Sequence, residues 1–537
     1  MAQEVMEIES AWEDAHFPRQ EDTGVVLGLS WGQVLVAGSG IAVATLMIVI
    51  GGFTWVFPAL VIGTPITVVG VWKVHKRSLI SWFGAGVKYA IRGVLGQLAF
   101  VRRTPKVQLS GSPQQPVLLA EDAEPQRDKK GRIKPESPAG INLPGSHGEM
   151  LVYTLPGGAG MVYDPRSHEA MVVAKLETTK AFSLESVGTR EERIGFFSDA
   201  MNDLSAIPGV AWWKLSDQTT LISGQHVKEF YRDKQSAAAM VERNGETVQL
   251  AGKAIDPFLD AAFEDLMTEA QGMPIHEQSI TIALSRSKLA GQIASMGGGI
   301  ATLMEIALSV MEAVESELPE SGTMVSHWHS MRSLAAVSRA AFDPDSTMGI
   351  EDRTGVFAGV SPDSAGPMGM QPYTSYVATD NYLHRTYVVS EWPQAKARLG
   401  FLRDMVFAGD FRHTVTIVME PVPMEKALKK VQGRKSDWET SQNIRQRWAS
   451  GKSLVHAREH DDIYMQEEEL VDGASPINMA GLVTVSARSR TELEDNCLQL
   501  LTKVAKAQCE VRPLYWEQDS AFVGSAVPYG KVEMKTS

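Results

Sequence analysis

The sequence predicts an α+β protein: an N-terminal transmembrane helical hairpin followed by a mixed α/β cytosolic region of two subdomains with a protruding helical arm. Three observations predict it. No charged residue occurs from Gly24 to Trp72, a stretch of 49 residues flanked on both sides by charge. Beyond residue 149, apolar residues recur alternately at strand and helix spacing. A long, very polar stretch, Lys426–Glu469, then separates two strand-like runs.

Residues 1–23 form an acidic tail, with Glu4, Glu7, Glu9, Glu13, Asp14, Glu21 and Asp22 against the single Arg19. One bilayer crossing needs about 20 apolar residues, so 24–72 is too long for one span and long enough for two. Gly51-Gly52 and Pro58 mark the turn, giving spans at 31–51 and 53–72. A cleavable signal peptide would begin with basic residues and carry a shorter apolar core; the acidic start and the long stretch exclude it. Lys73, Lys76, Arg77, Lys88, Arg92, Arg102 and Arg103 crowd the exit from the second span. Such an excess marks the cytoplasmic side, which places the protein in the cytoplasmic membrane with both termini in the cytoplasm.

Residues 73–103 form a basic juxtamembrane amphipathic helix. Leu79, Phe83, Val87, Ala90, Val94 and Leu98 recur at helical spacing, with Lys88 and Arg92 on another face. The pattern suits a helix lying in the headgroup layer and equally one packed against the soluble region. Residues 104–148 hold seven prolines and the charged run Arg127–Lys134, which reads as a disordered linker.

The first cytosolic α+β domain is expected at 149–350. Met171–Leu176, Trp212–Leu215 and Gln278–Leu284 read as strands, and Asp164-Pro165 as a turn. Glu191–Leu204, Phe258–Met273, Ile300–Leu318 and Ser330–Phe342 read as helices. A loop at 351–380 leads to the second domain, 381–537. There His413–Glu420, Gly481–Ala487 and Glu510–Tyr515 are strands, with the helical arm 426–469 after the first. Ser489 with Glu492 three residues on makes a capping box opening another helix.

Composition and motifs then bound the chemistry. The net charge is −13 although the residues beside the membrane are basic. The distal region is therefore acidic, which argues against direct, sequence-specific nucleic-acid binding. Cys497 and Cys509 are the two cysteines, too few for a disulfide framework; Cys497 falls on an apolar helical face as a core thiol. Gly451-Lys452-Ser453 has Gln446 where a P-loop requires glycine. Gly297-Gly298-Gly299 before a helix reads as a helix break rather than an anion cradle. His327-Trp328-His329 has no neighbouring cluster of ligands to complete a metal site. Glu467-Glu468-Glu469 reads as a solvated face. No catalytic, cofactor or metal residue is assigned, and the chain is not expected to be an enzyme.

The hairpin with its basic, Trp-containing helix resembles the PrgI-like two-helix inner-membrane subunit of type IV secretion systems. Val162–Leu176, Pro274–Leu284, Leu334–Pro344, Arg385–Pro393, Val415–Pro423 and Leu514–Phe522 resemble the N-terminal, non-motor domain of TraC/CagE-class secretion ATPases. The combination is similar to actinobacterial conjugation membrane proteins that fuse the two parts. The resemblance implies a membrane-anchored structural subunit of a conjugation or type IV-like DNA-transfer machine. The chain stops where the ATPase motor would begin, so a separate ATPase is the implied partner, with other channel subunits and further copies of the chain. Two docking surfaces are expected, the arm Lys426–Glu469 and the C-terminal segment Tyr515–Gly530. The competing reading is a membrane component of an actinobacterial type VII-like secretion system, which shares the plan of two N-terminal spans and a cytosolic domain.

Overall fold

The computed structural model describes residues 29, 31–74, 77–102, 138–144, 148–178, 185–221, 240–243, 246–249, 257–269, 274–353, 355–393, 400–447, 463–468, 470–471 and 475–532. Helix α1 (Trp31–Gly51) and helix α2 (Val56–Val71) are joined by a 3-10 turn, Gly52–Trp55. Gly52 reverses the chain with a left-handed φ of 66°, a conformation glycine adopts without steric cost. The stretches Gly32–Gly51 and Phe53–Val71 are long and apolar enough to cross a membrane.

The two helices meet through small residues. A Cβ on Gly63 would lie 2.6 Å from the Ala44 methyl, and one on Gly70 would lie 2.6 Å from the Ala37 nitrogen. Their outer faces expose Leu46, Val49, Ile50, Phe57 and Leu60. Close backbone approach inside and large apolar side chains outside is how helices associate in lipid, where no hydrophobic force drives them together.

A tight two-residue ladder follows, Lys73–Val74 against Arg77–Ser78, and turns the chain into helix α3 (Leu79–Val94). Ser78 caps it, its hydroxyl accepting from the Ser81 amide at 3.3 Å.

Apart from a separate two-stranded ladder, Met240–Arg243 against Glu246–Gln249, the strands that follow build one sheet with helices on both faces. In order it runs β1 (Phe100–Val101), β2 (Ala139–Leu143), β3 (Gly148–Thr154), β4 (Gly160–Asp164), β5 (Glu169–Thr178), α4 (Val187–Ala206), β6 (Val210–Leu221), α5 (Pro257–Glu269), β7 (Pro274–Ser285), α6 (Gly299–Glu317), β8 (Thr323–Trp328) and α7 (Met331–Phe342). It continues with β9 (Gly369–Pro372), β10 (Val377–Thr379), β11 (Tyr382–Glu391), β12 (His413–Pro421), α8 (Met424–Arg447), β13 (Ile477–Ala487), α9 (Arg490–Lys506), β14 (Glu510–Pro513) and α10 (Gln518–Ala526). The strand order is β1-β9-β10-β11-β13-β12-β6-β7-β5-β4-β3-β2, with β8 beside β5 and β14 beside β11. Neighbouring strands are antiparallel throughout this path.

Strands from both expected subdomains lie side by side: Thr414 to Met419 of β12 pairs with Gln218 to Trp213 of β6. Directly opposed residues in adjacent strands share a face, so the register sorts the core. One face carries Val172, Ile282, Trp213, Ile417, Val415 and Val483, covered by α4, α6 and α9. The other carries Val173, Thr281, Lys214, Val418, Thr416, Thr484, Thr386 and His384, covered by α7, α10 and the chain that follows α10.

Three expectations about segments need correction. The linker does not extend to 148, because Ala139–Leu143 pairs with β3, and Ile141 and Leu143 are buried. The loop 351–380 contains strands β9 and β10, and Met370 and Val377 enter the core. The C-terminal segment Tyr515–Gly530 is not a free docking surface, since Phe522, Val523, Val527 and Tyr529 are buried. Its mixed sequence, small residues around a few large ones, lets a short helix sit close on the sheet.

Within the expected arm, α8 exposes most of its described side chains and makes its own small core. Ala427 and Val431 are buried with Ile463 and Leu470, and Lys435 pairs with Glu467 at 3.1 Å.

Candidate functional site at the elbow between hairpin and sheet

The most specific constellation is the elbow where the apolar hairpin meets the sheet. α3 carries two opposed faces. On one, Trp82 packs against Tyr515 in a tilted contact and against Trp516 edge-on, each ring centroid 5.7 Å away. Its indole N–H donates to the Val74 carbonyl at 3.1 Å, which ties the ladder to the helix. The Arg77 guanidinium lies 5.1 Å over the Trp82 ring, donates to the Ser81 hydroxyl at 2.7 Å and reaches Glu517 at 2.8 Å. Three turns further along, Arg92 pairs with Asp519 at 2.6 Å. Between them the Tyr89 hydroxyl donates to the Pro372 carbonyl at 3.1 Å.

The spacing explains the shared direction. Trp82, Ala85, Tyr89 and Arg92 recur every three or four residues, one stripe of an α-helix. Ala85 is buried, and the Trp516 ring lies at ordinary van der Waals distance, 4.0 Å, from where a Cβ on Gly86 would sit. Trp516 itself has a left-handed φ of 63°, and its amide donates to Thr374 at 2.9 Å. Holding a bulky residue in that region costs about 1–3 kcal/mol, offset here by the aromatic contacts and the flanking ion pairs.

The electrostatics are tightly coupled. Asp519 is 4% exposed and Arg77 is 10% exposed, so these pairs are desolvated and screened less than surface pairs. Burial, then the Asp519 carboxylate, pushes the Tyr89 hydroxyl up from its usual value. Burial, then the Arg77 cation, pushes Arg512 down, with Glu517 opposing. The elbow can carry force and orientation between the hairpin and the sheet.

A second built feature fixes α10 and the segment after it. Lys214, fully buried on β6, donates to the carbonyls of Gly524 at 3.2 Å, Val527 at 2.8 Å and Gly530 at 3.0 Å. Burial pushes its ammonium down to about 7. Three donors meeting three acceptors at a helix C-terminus favour the cation. Thr416 and Thr281 add bonds to the Ser525 and Pro528 carbonyls, each at 3.0 Å.

The motifs singled out in the sequence fall elsewhere. Gly451-Lys452-Ser453 lies outside the described residues. Gly297, Gly298 and Gly299 all have left-handed φ and separate a short helix, Ala290–Ser295, from α6. His327 and His329 face each other at 5.0 Å. His329 is buried, bonded to the Ser333 hydroxyl at 2.6 Å, and burial pushes it down to about 3. Among the described residues no group of three or more His, Cys, Asp or Glu is arranged to hold a metal ion. Glu467 is engaged by Lys435. Cys497 and Cys509 are buried, and burial raises both thiols, Cys509 to about 11.

Sequence reasoning found the amphipathic helix but not what its polar face holds. The signal was present in Trp82, Tyr89 and Arg92 at helical spacing; their partners lie more than 400 residues away in sequence for both ion pairs. No family model matches the chain, and comparison with curated proteins finds no match.

Proposed function

We propose that the chain is a membrane-anchored structural subunit of a conjugation or type IV-like secretion machine, docking a separate motor ATPase at the inner face of the cytoplasmic membrane. The observation that carries it is the elbow: two span-length apolar helices coupled through partly buried ion pairs to a large antiparallel sheet. The resemblance of the six sequence stretches to secretion-ATPase non-motor domains supports the choice of system. In this reading both termini are cytoplasmic, and the chain repeats within the assembly beside other channel subunits.

Because the C-terminal segment is buried, the ATPase contact falls on the arm. α8 extends from the end of β12, and most of its described side chains are exposed. A polar connection of this length with its own small core suits a binding role. Deleting Lys426–Glu469 and closing the gap with a short turn tests this. The variant should remain inserted and folded while losing co-purification with the ATPase; full capture and full transfer by the variant would remove the arm's role.

A further inference from the structure

Among the described residues, none covers the outward face of α3. Phe83 is 74% exposed, Ile91 53%, Val94 90% and Leu95 62%, with Val87 between them also exposed. At 100° per residue these five lie on one side of the helix, opposite the stripe of Trp82, Ala85, Tyr89 and Arg92 that grips the sheet. Such a row on a helix of this length is a surface that water disfavours.

We propose that this face lies in the headgroup layer of the bilayer that α1 and α2 cross, making α3 a second, non-spanning membrane contact. Three features select lipid over protein. α2 ends at Val71 and α3 begins at Leu79, joined by the short ladder, so the helix cannot move far from the end of the span. Trp72, at that end, is 58% exposed, as an interfacial tryptophan would be. Lys88 flanks the apolar row as an exposed cation, placed to meet anionic headgroups while the row enters the acyl boundary. The sequence left open whether this helix meets lipid or the soluble region; the geometry points to both, one on each face. The sheet is then held at a set angle to the membrane rather than hung from a tether. The proposal rests on the reading of α1 and α2 as spans.

The test labels single introduced cysteines in the full chain reconstituted into phosphatidylcholine–phosphatidylglycerol vesicles. The native thiols are buried, and unsubstituted protein labelled in parallel gives the background. Phe83→Cys and Val94→Cys probe the proposed face, Phe57→Cys the outer side of α2, and Leu498→Cys an exposed position on α9. Nitroxide lipids labelled at headgroup or acyl depth, and aqueous iodide, serve as quenchers. Labels at 83 and 94 should lose fluorescence to the headgroup nitroxide and resist iodide, with the label at 498 showing the reverse. If 57 is quenched by the acyl nitroxide while 83 and 94 respond to iodide alone, the spans hold and the proposal is overturned. Labels at 83 and 94 shielded from both quenchers would mean a second copy covers the face, which also overturns it. A label at 57 that lipid does not quench would defeat the span reading itself, and the proposal with it.

Discussion

His384 shows how a polar side chain is made compatible with a closed core. Its Nε2 lies 2.7 Å from the Thr379 hydroxyl and its Nδ1 2.8 Å from the Ser486 hydroxyl. Thr379 donates its own proton to the Phe342 carbonyl at 2.6 Å, so Nε2 carries the imidazole proton and Nδ1 accepts from Ser486. The neutral ring is fully satisfied, and burial pushes it down to about 3. A depressed folded-state value means the unfolded chain binds the extra proton first, so stability is lost as pH falls below about 6.5. By pH 5 His384 alone should remove about 2 kcal/mol, and buried His329 acts in the same direction. Denaturant midpoints measured at pH 7.5 and pH 5 should show a smaller acid loss for His384→Gln than for the parent. Lys214 is the other residue on which much depends. Lys214→Met leaves three buried carbonyls without their donor, and a loss of about 2–4 kcal/mol in a thermal or urea melt is expected. A melt unchanged within error would show that water or backbone shifts replace the ammonium.

At the scale of elements, the hairpin depends on atoms that are missing. Gly63→Leu would drive a side chain into Ala44 and the Gly40 carbonyl, which a Cβ alone would approach to 2.8 Å. Detergent-solubilised variant should melt at lower temperature and aggregate, whereas Leu60→Ala on the exposed outer face should change little. Elements with a strong local signal were legible in the sequence. The apolar helix α1, α6, α7, β12 and the Ser489 cap fall where composition, periodicity and capping place them, and the Ser489 hydroxyl does accept from the Glu492 amide at 3.2 Å. Elements that depend on distant partners were not. β9 and β10 are four and three residues long, too short for a period to register. β11 is buried on both faces around His384 and Thr386, so its apolar alternation is broken by polar residues whose partners lie in other strands. α10 lacks an amphipathic stripe because it is enclosed nearly all round. The elbow was half legible: the amphipathic row announces a surface, while the aromatic and ionic contacts of the opposite face are long-range.

For the molecule as a whole, the elbow decides whether the hairpin and the sheet move together. Arg77→Ala with Arg92→Ala removes both ion pairs and leaves the Asp519 and Glu517 carboxylates unpartnered by them. Distances between a spin label in the Gly52–Trp55 turn and one on α9 should broaden strongly in this double variant, with membrane insertion retained; an unchanged narrow distribution would show that the aromatic contacts alone fix the geometry. The Lys214 clamp has a different consequence, in the order of manufacture. A ribosome delivers every strand of the sheet before residue 518. Until Gln518–Gly530 emerges, Lys214, Thr281, Thr386 and Thr416 face outward on a sheet that is otherwise paired. The nascent chain therefore waits, with its polar seam open, for α10. Ribosome stalling or premature termination in that window would leave a half-closed product for proteases to clear.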